Sequence, residues 1–270
     1  MNVFYKNKVV LITGSSMGIG KEMALQALIH GATVILTGRN LERLEKTQLE
    51  FLAFKEKVMI FQGNVTNENS NKILMKLIIE KYGRLDVLIN NAGLSCYGEV
   101  DEMEIGSFKE IIDTNIYGSI LPSKAALSEL KKTQGNILFI SSIAGFHGLP
   151  GYSAYSLSKM ALKSFAQSLS VELKSSGVKV SIAFVGFTEN EKDKKTLSPN
   201  GEWVEVPIRS SKMSVSRKTT ASKLLSQVKS GQFKNTHSLL GKFTEQITRH
   251  LPLLTYYIFN KKYKRNLSAE

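Results

Sequence analysis

Tyr155 and Lys159 are the residues in this sequence best suited to carry chemistry. On a helix, positions i and i+4 share a face, so this phenol and ammonium can address one ligand. A tyrosine titrates at about pH 10 and is a poor proton shuttle at neutral pH. An adjacent ammonium favours the phenolate and lowers that value. The phenol then becomes a usable proton donor to the alkoxide that hydride delivery leaves on a carbonyl. Thirteen residues upstream, Ser142 ends the run Phe139-Ile140-Ser141-Ser142. Its hydroxyl can hold a carbonyl oxygen in line with Tyr155. Alternation along a strand turns Ser141 away from Ser142 and gives it a structural part. Tyr152 has Ser156, not a lysine, four positions on, and reads as pocket wall.

A second group of residues suits a dinucleotide. Thr13-Gly14-Ser15-Ser16-Met17-Gly18-Ile19-Gly20 follows an apolar run and opens a helical pattern. Glycines there let the backbone turn tightly and approach a pyrophosphate at the helix N-terminus. The second run ends Thr37-Gly38-Arg39-Asn40, with no acidic residue to take a ribose 2′-hydroxyl. Arg39 stands where a 2′-phosphate would lie, and its fork of donors suits that group. NADPH is therefore expected over NADH. Asn64, followed by Val65, ends the third run and can accept from an adenine amino group through its side-chain carbonyl.

These residues need a scaffold that alternates strands and helices. Val9–Thr13, Thr33–Thr37, Val58–Gln62, Val87–Asn90, Asn136–Ser141 and Lys179–Val185 read as buried strands. Helical spacing fills Lys21–His30, Leu41–Phe54, Asn67–Tyr82, Ser107–Lys131 and Ala154–Ser175. Such alternation predicts an α/β fold, a doubly wound parallel sheet with helices on both faces. The polar stretch 188–216, with Pro199 and Pro207, is expected to be a long loop or lid over substrate. Thr219–Ser230 reads as one more helix and Thr236–Leu240 as a last short strand. Residues 1–240 then make one dinucleotide-binding and catalytic domain, and 241–270 a basic, apolar extension.

In order and spacing, Thr-Gly-x-x-x-Gly-x-Gly at 13–20, Asn-Asn-Ala-Gly at 90–93, Ser142 and Tyr-x-x-x-Lys at 155–159 resemble the short-chain dehydrogenase/reductase family. The resemblance covers roughly residues 6–188 and implies a Rossmann-type fold. It implies Tyr155 as acid/base, Lys159 as ribose binder and pKa modulator, Ser142 as substrate orienter and Asn115 as holder of a relay water. It also implies cofactor contacts from Gly14, Ser16, Gly18, Ile19, Gly20, Asn64, Val65, Asn91, Ala92 and Gly93, and a homodimer or homotetramer. The sequence departs from the pattern in three places. Val185-Gly186-Phe187-Thr188 replaces the usual Pro-Gly, leaving Thr188 to touch a nicotinamide carboxamide. Asn64 stands for an aspartate. Met17 stands where many NADP-dependent members carry a basic residue, which leaves Arg39 to discriminate the phosphate.

Composition narrows the class further. The formal net charge is +13, and from Glu191 onward there are 16 Lys/Arg against 6 Asp/Glu, leaving 20 against 17 before it. The single cysteine, Cys96, excludes an internal disulfide and has no activating neighbour, so it reads as pocket lining. No signal peptide or spanning segment is expected, which makes the cytoplasm the default location. Leu251–Phe259 is apolar and is followed by Lys261, Lys262, Lys264 and Arg265. That pattern fits peripheral contact with an anionic membrane, or a helix packed on its own protein. Lipid contact would make a lipid-like ketone such as 3-ketosphinganine the natural substrate, and Gly151–Lys159 with the basic tail is similar to the family's sphingoid-directed reductases. A reductase of acyl-carrier thioesters and a non-catalytic NADPH-binding protein are the alternatives. Nucleic-acid binding is not expected, since the basic tail lacks a reading module. His147, in a loop near the site, is expected to be bland more than substrate-binding.

Overall fold

The computed structural model describes residues 3–191, 194–206 and 214–267, with side chains through residue 261. Pro207, parts of the 188–216 stretch and the side chains of Lys262, Lys264 and Arg265 lie outside the described residues.

The chain runs β1 (Val9–Thr13), α1 (Gly18–Ile29), β2 (Thr33–Gly38), α2 (Leu41–Glu50), β3 (Val58–Gln62), α3 (Glu68–Tyr82) and β4 (Val87–Asn90). It continues through α4 (Ile105–Ile112), α5 (Gly118–Thr133), β5 (Asn136–Ser142), α6 (Ser153–Glu172) and β6 (Lys179–Val185). A short hairpin, β7 (Lys195–Leu197) and β8 (Trp203–Glu205), precedes α7 (Arg217–Ser230), β9 (Lys234–Thr236), α8 (Leu239–His250) and α9 (Pro252–Leu267).

Seven strands form one parallel sheet in the order β3-β2-β1-β4-β5-β6-β9. Strand order reverses beside β1, and ligands of such sheets bind outside the carboxyl ends of the strands at that point. Alternation along each strand feeds two cores. Val10, Ile12, Val34 and Leu36 face one layer, where Met23 and Leu28 of α1 meet Leu224, Leu225 and Val228 of α7. Val9, Leu11 and Ile35 face the other, with Leu74 and Ile78 of α3, Leu130 of α5 and Leu162 of α6. Both faces are covered, which is why these strands read as nearly continuous apolar runs.

Three expectations change in detail. The helix expected over Ser107–Lys131 is broken by a wide π-type turn at Asp113–Tyr117, and that turn buries Asn115 completely. Such turns insert an extra residue and recur at functional sites. The last strand is Lys234–Thr236, not Thr236–Leu240. The Ser238 side chain accepts from Gly241 N and starts α8 at Leu239. The 188–216 stretch is not without structure, because it carries the β7–β8 hairpin.

Candidate active site

The site lies at the carboxyl ends of β1, β4, β5 and β6. Lys159, on α6, is 6% exposed, and its Nζ donates to Ile140 O of β5 at 3.0 Å. Tyr155 lies one turn earlier on the same face, with Nζ 5.7 Å from its ring centroid. Burial, with the charge of Lys194, pushes the Lys159 ammonium down to about 8. A Cβ at Gly93 would stand 3.3 Å from Nζ and 3.0 Å from Asn115 Oδ1, so a larger residue there would press on both side chains.

Asn115 joins the two halves of the site. Its Oδ1 accepts from Leu94 N at 2.7 Å, and its Nδ2 donates to Leu94 O at 2.9 Å and Ser158 Oγ at 2.8 Å. Both amide hydrogens are thus engaged. The side chain fixes the loop after β4 against the residue next to Lys159. A water held at Asn115 would have to donate to its carbonyl oxygens.

Ser142 ends β5 in register with Val185 and accepts from Ala144 N at 3.3 Å, which leaves its O–H to donate. Ser141 is buried and donates to Lys159 O at 2.9 Å, the structural part expected of it. Tyr97, Tyr152 and Tyr155 form an aromatic row, with centroids 5.1 Å and 6.5 Å apart. Cys96 is buried against Leu197, and burial raises its thiol pKa, so it is inert lining. The His147 ring lies 4.9 Å from that of Phe259 of α9, tilted by 33°, which brings the C-terminal helix to the rim of the site. Sequence spacing gave no sign of this contact.

The glycine-rich turn fits a pyrophosphate. Gly14 and Gly18 have φ of 61° and 60°, and a Cβ at Gly20 would meet Asn91 Nδ2 and Gly14 O at 2.5 Å. Asn91 Nδ2 donates to Thr13 O and Gly14 O, while Thr13 Oγ1 accepts from the N–H groups of Asn91 and Ala92. Thr13 thereby sets the cradle, a part not read from the sequence. The N-terminal end of α1 is the anion-binding feature a pyrophosphate needs. Ser16 and Ile19 lie in the same turn. At the adenosine end, Arg39 pairs with Glu110 at 3.0 Å and lies under the Trp203 ring at 5.5 Å. Arg43 donates to Met17 Sδ at 3.5 Å, a second basic residue where the turn itself has none. Its position four residues after Arg39 was the available signal. Asn64 Oδ1 accepts from Thr66 N at 3.1 Å, and Val65 packs near Gly118.

Two parts of the 188–216 stretch stand apart from the substrate reading. Thr188 is buried, with its hydroxyl 3.3 Å from that of Thr220 on α7. Glu191 accepts from Gly18 N at 2.6 Å and pairs with Arg217 at 3.0 Å, seating a carboxylate on the end of α1.

The sequence profile of the short chain dehydrogenases matches residues 8–200. The chain belongs to the short-chain dehydrogenase family. It is 36% identical over 197 residues to the 3-dehydrosphinganine reductase of Danio rerio, a match that covers 68% of this chain. It spans only 59% of that reductase's length. Among solved structures, ElxO with NADP bound superposes with a TM-score of 0.74 at 27% identity, covering 86% of this dehydrogenase and 97% of ElxO. A short-chain dehydrogenase from Streptomyces avermitilis shares the fold over 97% of this chain and 98% of its own, with a TM-score of 0.78 at 23% identity. Among the described residues no helix is long and apolar enough to cross a membrane.

Proposed function

We propose that this dehydrogenase reduces the carbonyl of a hydrophobic, sphingoid-like ketone such as 3-ketosphinganine, with NADPH as its preferred cofactor. The observation that carries the reaction is the Lys159 ammonium, buried, tied to Ile140 O and 5.7 Å from the Tyr155 ring. When bound, NADPH supplies a hydride to the carbonyl carbon. Tyr155 gives its hydroxyl proton to the carbonyl oxygen, so that C=O becomes CH–OH and a phenolate remains. Lys159 stabilises that phenolate by its charge and meets the ribose. Ser142 donates to the substrate oxygen and aligns it with Tyr155. Asn115 acts by position, holding the β4 loop against α6, with its carbonyl oxygens available to a relay water.

For the cofactor, Gly14, Ser16, Gly18, Ile19 and Gly20 form the phosphate turn, and Arg39 takes the 2′-phosphate. Asn64 and Val65 border the adenine. Asn91, Ala92 and Gly93 border the groove toward the nicotinamide, and Thr188 closes it through its backbone. The name of the zebrafish relative supports a sphingoid substrate. So do the aromatic row and the apolar side chains of α8 and α9. Leu239 and Leu253 are 86% and 84% exposed, and Phe243, Tyr256 and Tyr257 accompany them beside Lys242, Arg249 and Lys261. We read 241–270 as an extension that meets an anionic membrane surface from the cytoplasmic side, and the working unit as a homodimer or homotetramer.

The test is loss of reduced-nicotinamide absorbance against long-chain 3-ketones, 3-oxoacyl thioesters and small ketones, in wild type and Tyr155→Phe. Turnover of the long-chain 3-ketone, lost in the variant, is the expected result. Preference for the thioester would overturn the substrate. Turnover that survives in Tyr155→Phe would overturn the mechanism.

A further inference from the structure

The β7–β8 hairpin, between β6 and α7, reaches Arg39 at the end of β2. It is seated on the loop after β4. Leu197 N donates to Ser95 O at 3.3 Å, Glu104 N donates to Pro199 O at 3.0 Å, and Pro199 lies so close to Gly98 that a Cβ there would stand 2.3 Å from Pro199 Cγ. Seated in this way, the hairpin presents Trp203, paired across its strands with Leu197, to Arg39 at the end of β2. Trp203 is the only tryptophan in the chain and is 44% exposed. A large aromatic side chain left half in water does little for the core. Its contact is with the one basic side chain that ends β2, beside the ends of β2 and β3 where an adenosine would lie.

We propose that Trp203 is a cofactor-specificity residue, which positions the Arg39 guanidinium for the adenosine 2′-phosphate. The inference rests on the reading of Arg39 as the phosphate partner. The ring holds Arg39 by cation–π attraction, which leaves the in-plane donors of the guanidinium to a phosphate. Glu110 engages one of them, through Nη1 at 3.0 Å, and so fixes the rotation of the fork. Gln62 Nε2 donates to Arg39 O at 3.1 Å and pins its backbone. The guanidinium is therefore held by Trp203 and Glu110, and the backbone beneath it by Gln62, before any phosphate arrives, and preorganisation of this kind lowers the ordering cost of binding. Trp203 acts through Arg39 and needs no contact with the cofactor. Nothing in this arrangement favours a cofactor that lacks the 2′-phosphate, so the effect belongs to NADPH alone.

The experiment is calorimetric titration of NADPH and NADH into wild type, Trp203→Leu, Trp203→Phe and Arg39→Ala, with each variant's melting temperature measured. Trp203→Leu should weaken NADPH binding about threefold to tenfold and leave NADH unchanged. Trp203→Phe, which keeps an aromatic face, should recover most of the loss. Arg39→Ala should remove the preference for NADPH. Equal losses for both cofactors in Trp203→Leu would make the tryptophan a general clamp and overturn the inference, as would unchanged NADPH affinity. If Arg39→Ala keeps the wild-type preference, the phosphate reading itself fails. If Arg39→Ala abolishes the preference and Trp203→Leu does not alter it, only the role of Trp203 falls.

Discussion

Replacing Lys159 by methionine should abolish turnover and stabilise the fold. The ammonium is 6% exposed, and burial with the Lys194 charge takes its pKa from 10.5 down to about 8. Each unit corresponds to about 1.4 kcal/mol, so keeping the charge costs the folded state about 3 kcal/mol at neutral pH. The sign follows from the proton count. Between about pH 8 and 10.5 the unfolded chain holds this proton and the folded one releases it, so stability rises with pH. Below that window both states are charged and the whole penalty stands; above it both are neutral and the penalty is gone. Methionine is close in length and apolar, so the site stays filled. It forfeits the 3.0 Å bond to Ile140 O, a loss of about 1 kcal/mol. The variant should therefore be about 2 kcal/mol more stable than wild type near pH 7, and slightly less stable near pH 10.5. Urea unfolding followed by circular dichroism at the two pH values measures both differences. Tyr5 and Cys96, which burial also shifts upward, are common to both proteins and cancel. A variant less stable than wild type near neutral pH, or a difference that does not change with pH, would refute the reasoning.

Other expectations follow from the same geometry. Turnover should decline as pH rises through about 8 while Lys159 loses its charge; a rate flat to pH 10 would separate that charge from catalysis. Glu191→Gln should tighten NADPH binding severalfold, because the carboxylate on Gly18 N competes with a pyrophosphate for the end of α1; weaker binding in calorimetry would make Glu191 a latch and not a competitor. Gly20→Ala forces a Cβ to within 2.5 Å of Asn91 Nδ2 and Gly14 O, and should cost about 1–3 kcal/mol of stability along with cofactor affinity; an unchanged melting temperature and binding constant would show that the turn relaxes. A chain ending before Pro252, which lacks α9, should sediment less with anionic vesicles than the full chain; equal sedimentation of a folded truncation would remove α9 from membrane contact.

The sequence by itself determined the sheet and the reacting pair. Six strands announced themselves because strands buried on both faces are short apolar runs, and Tyr155 and Lys159 share a face because helical periodicity puts them there. The glycine-rich turn was legible for the same local reason, since glycine takes the positive φ of Gly14 and Gly18 without strain. Contacts between segments distant in the chain were not legible. The turn that buries Asn115 depends on an extra residue within a helix, which periodicity alone does not reveal. Glu191 meets Gly18 across 173 positions, and Trp203 meets Arg39 from the far side of the sheet. The stretch that carries both read only as polar loop, because Glu191 and Trp203 find their charged partners on other elements. His147 and Phe259 likewise meet only after α8 turns the tail back over the rim. Local propensity decides which elements form, while pairing between remote elements depends on where the packed cores leave surfaces side by side, and that the tertiary structure alone decided.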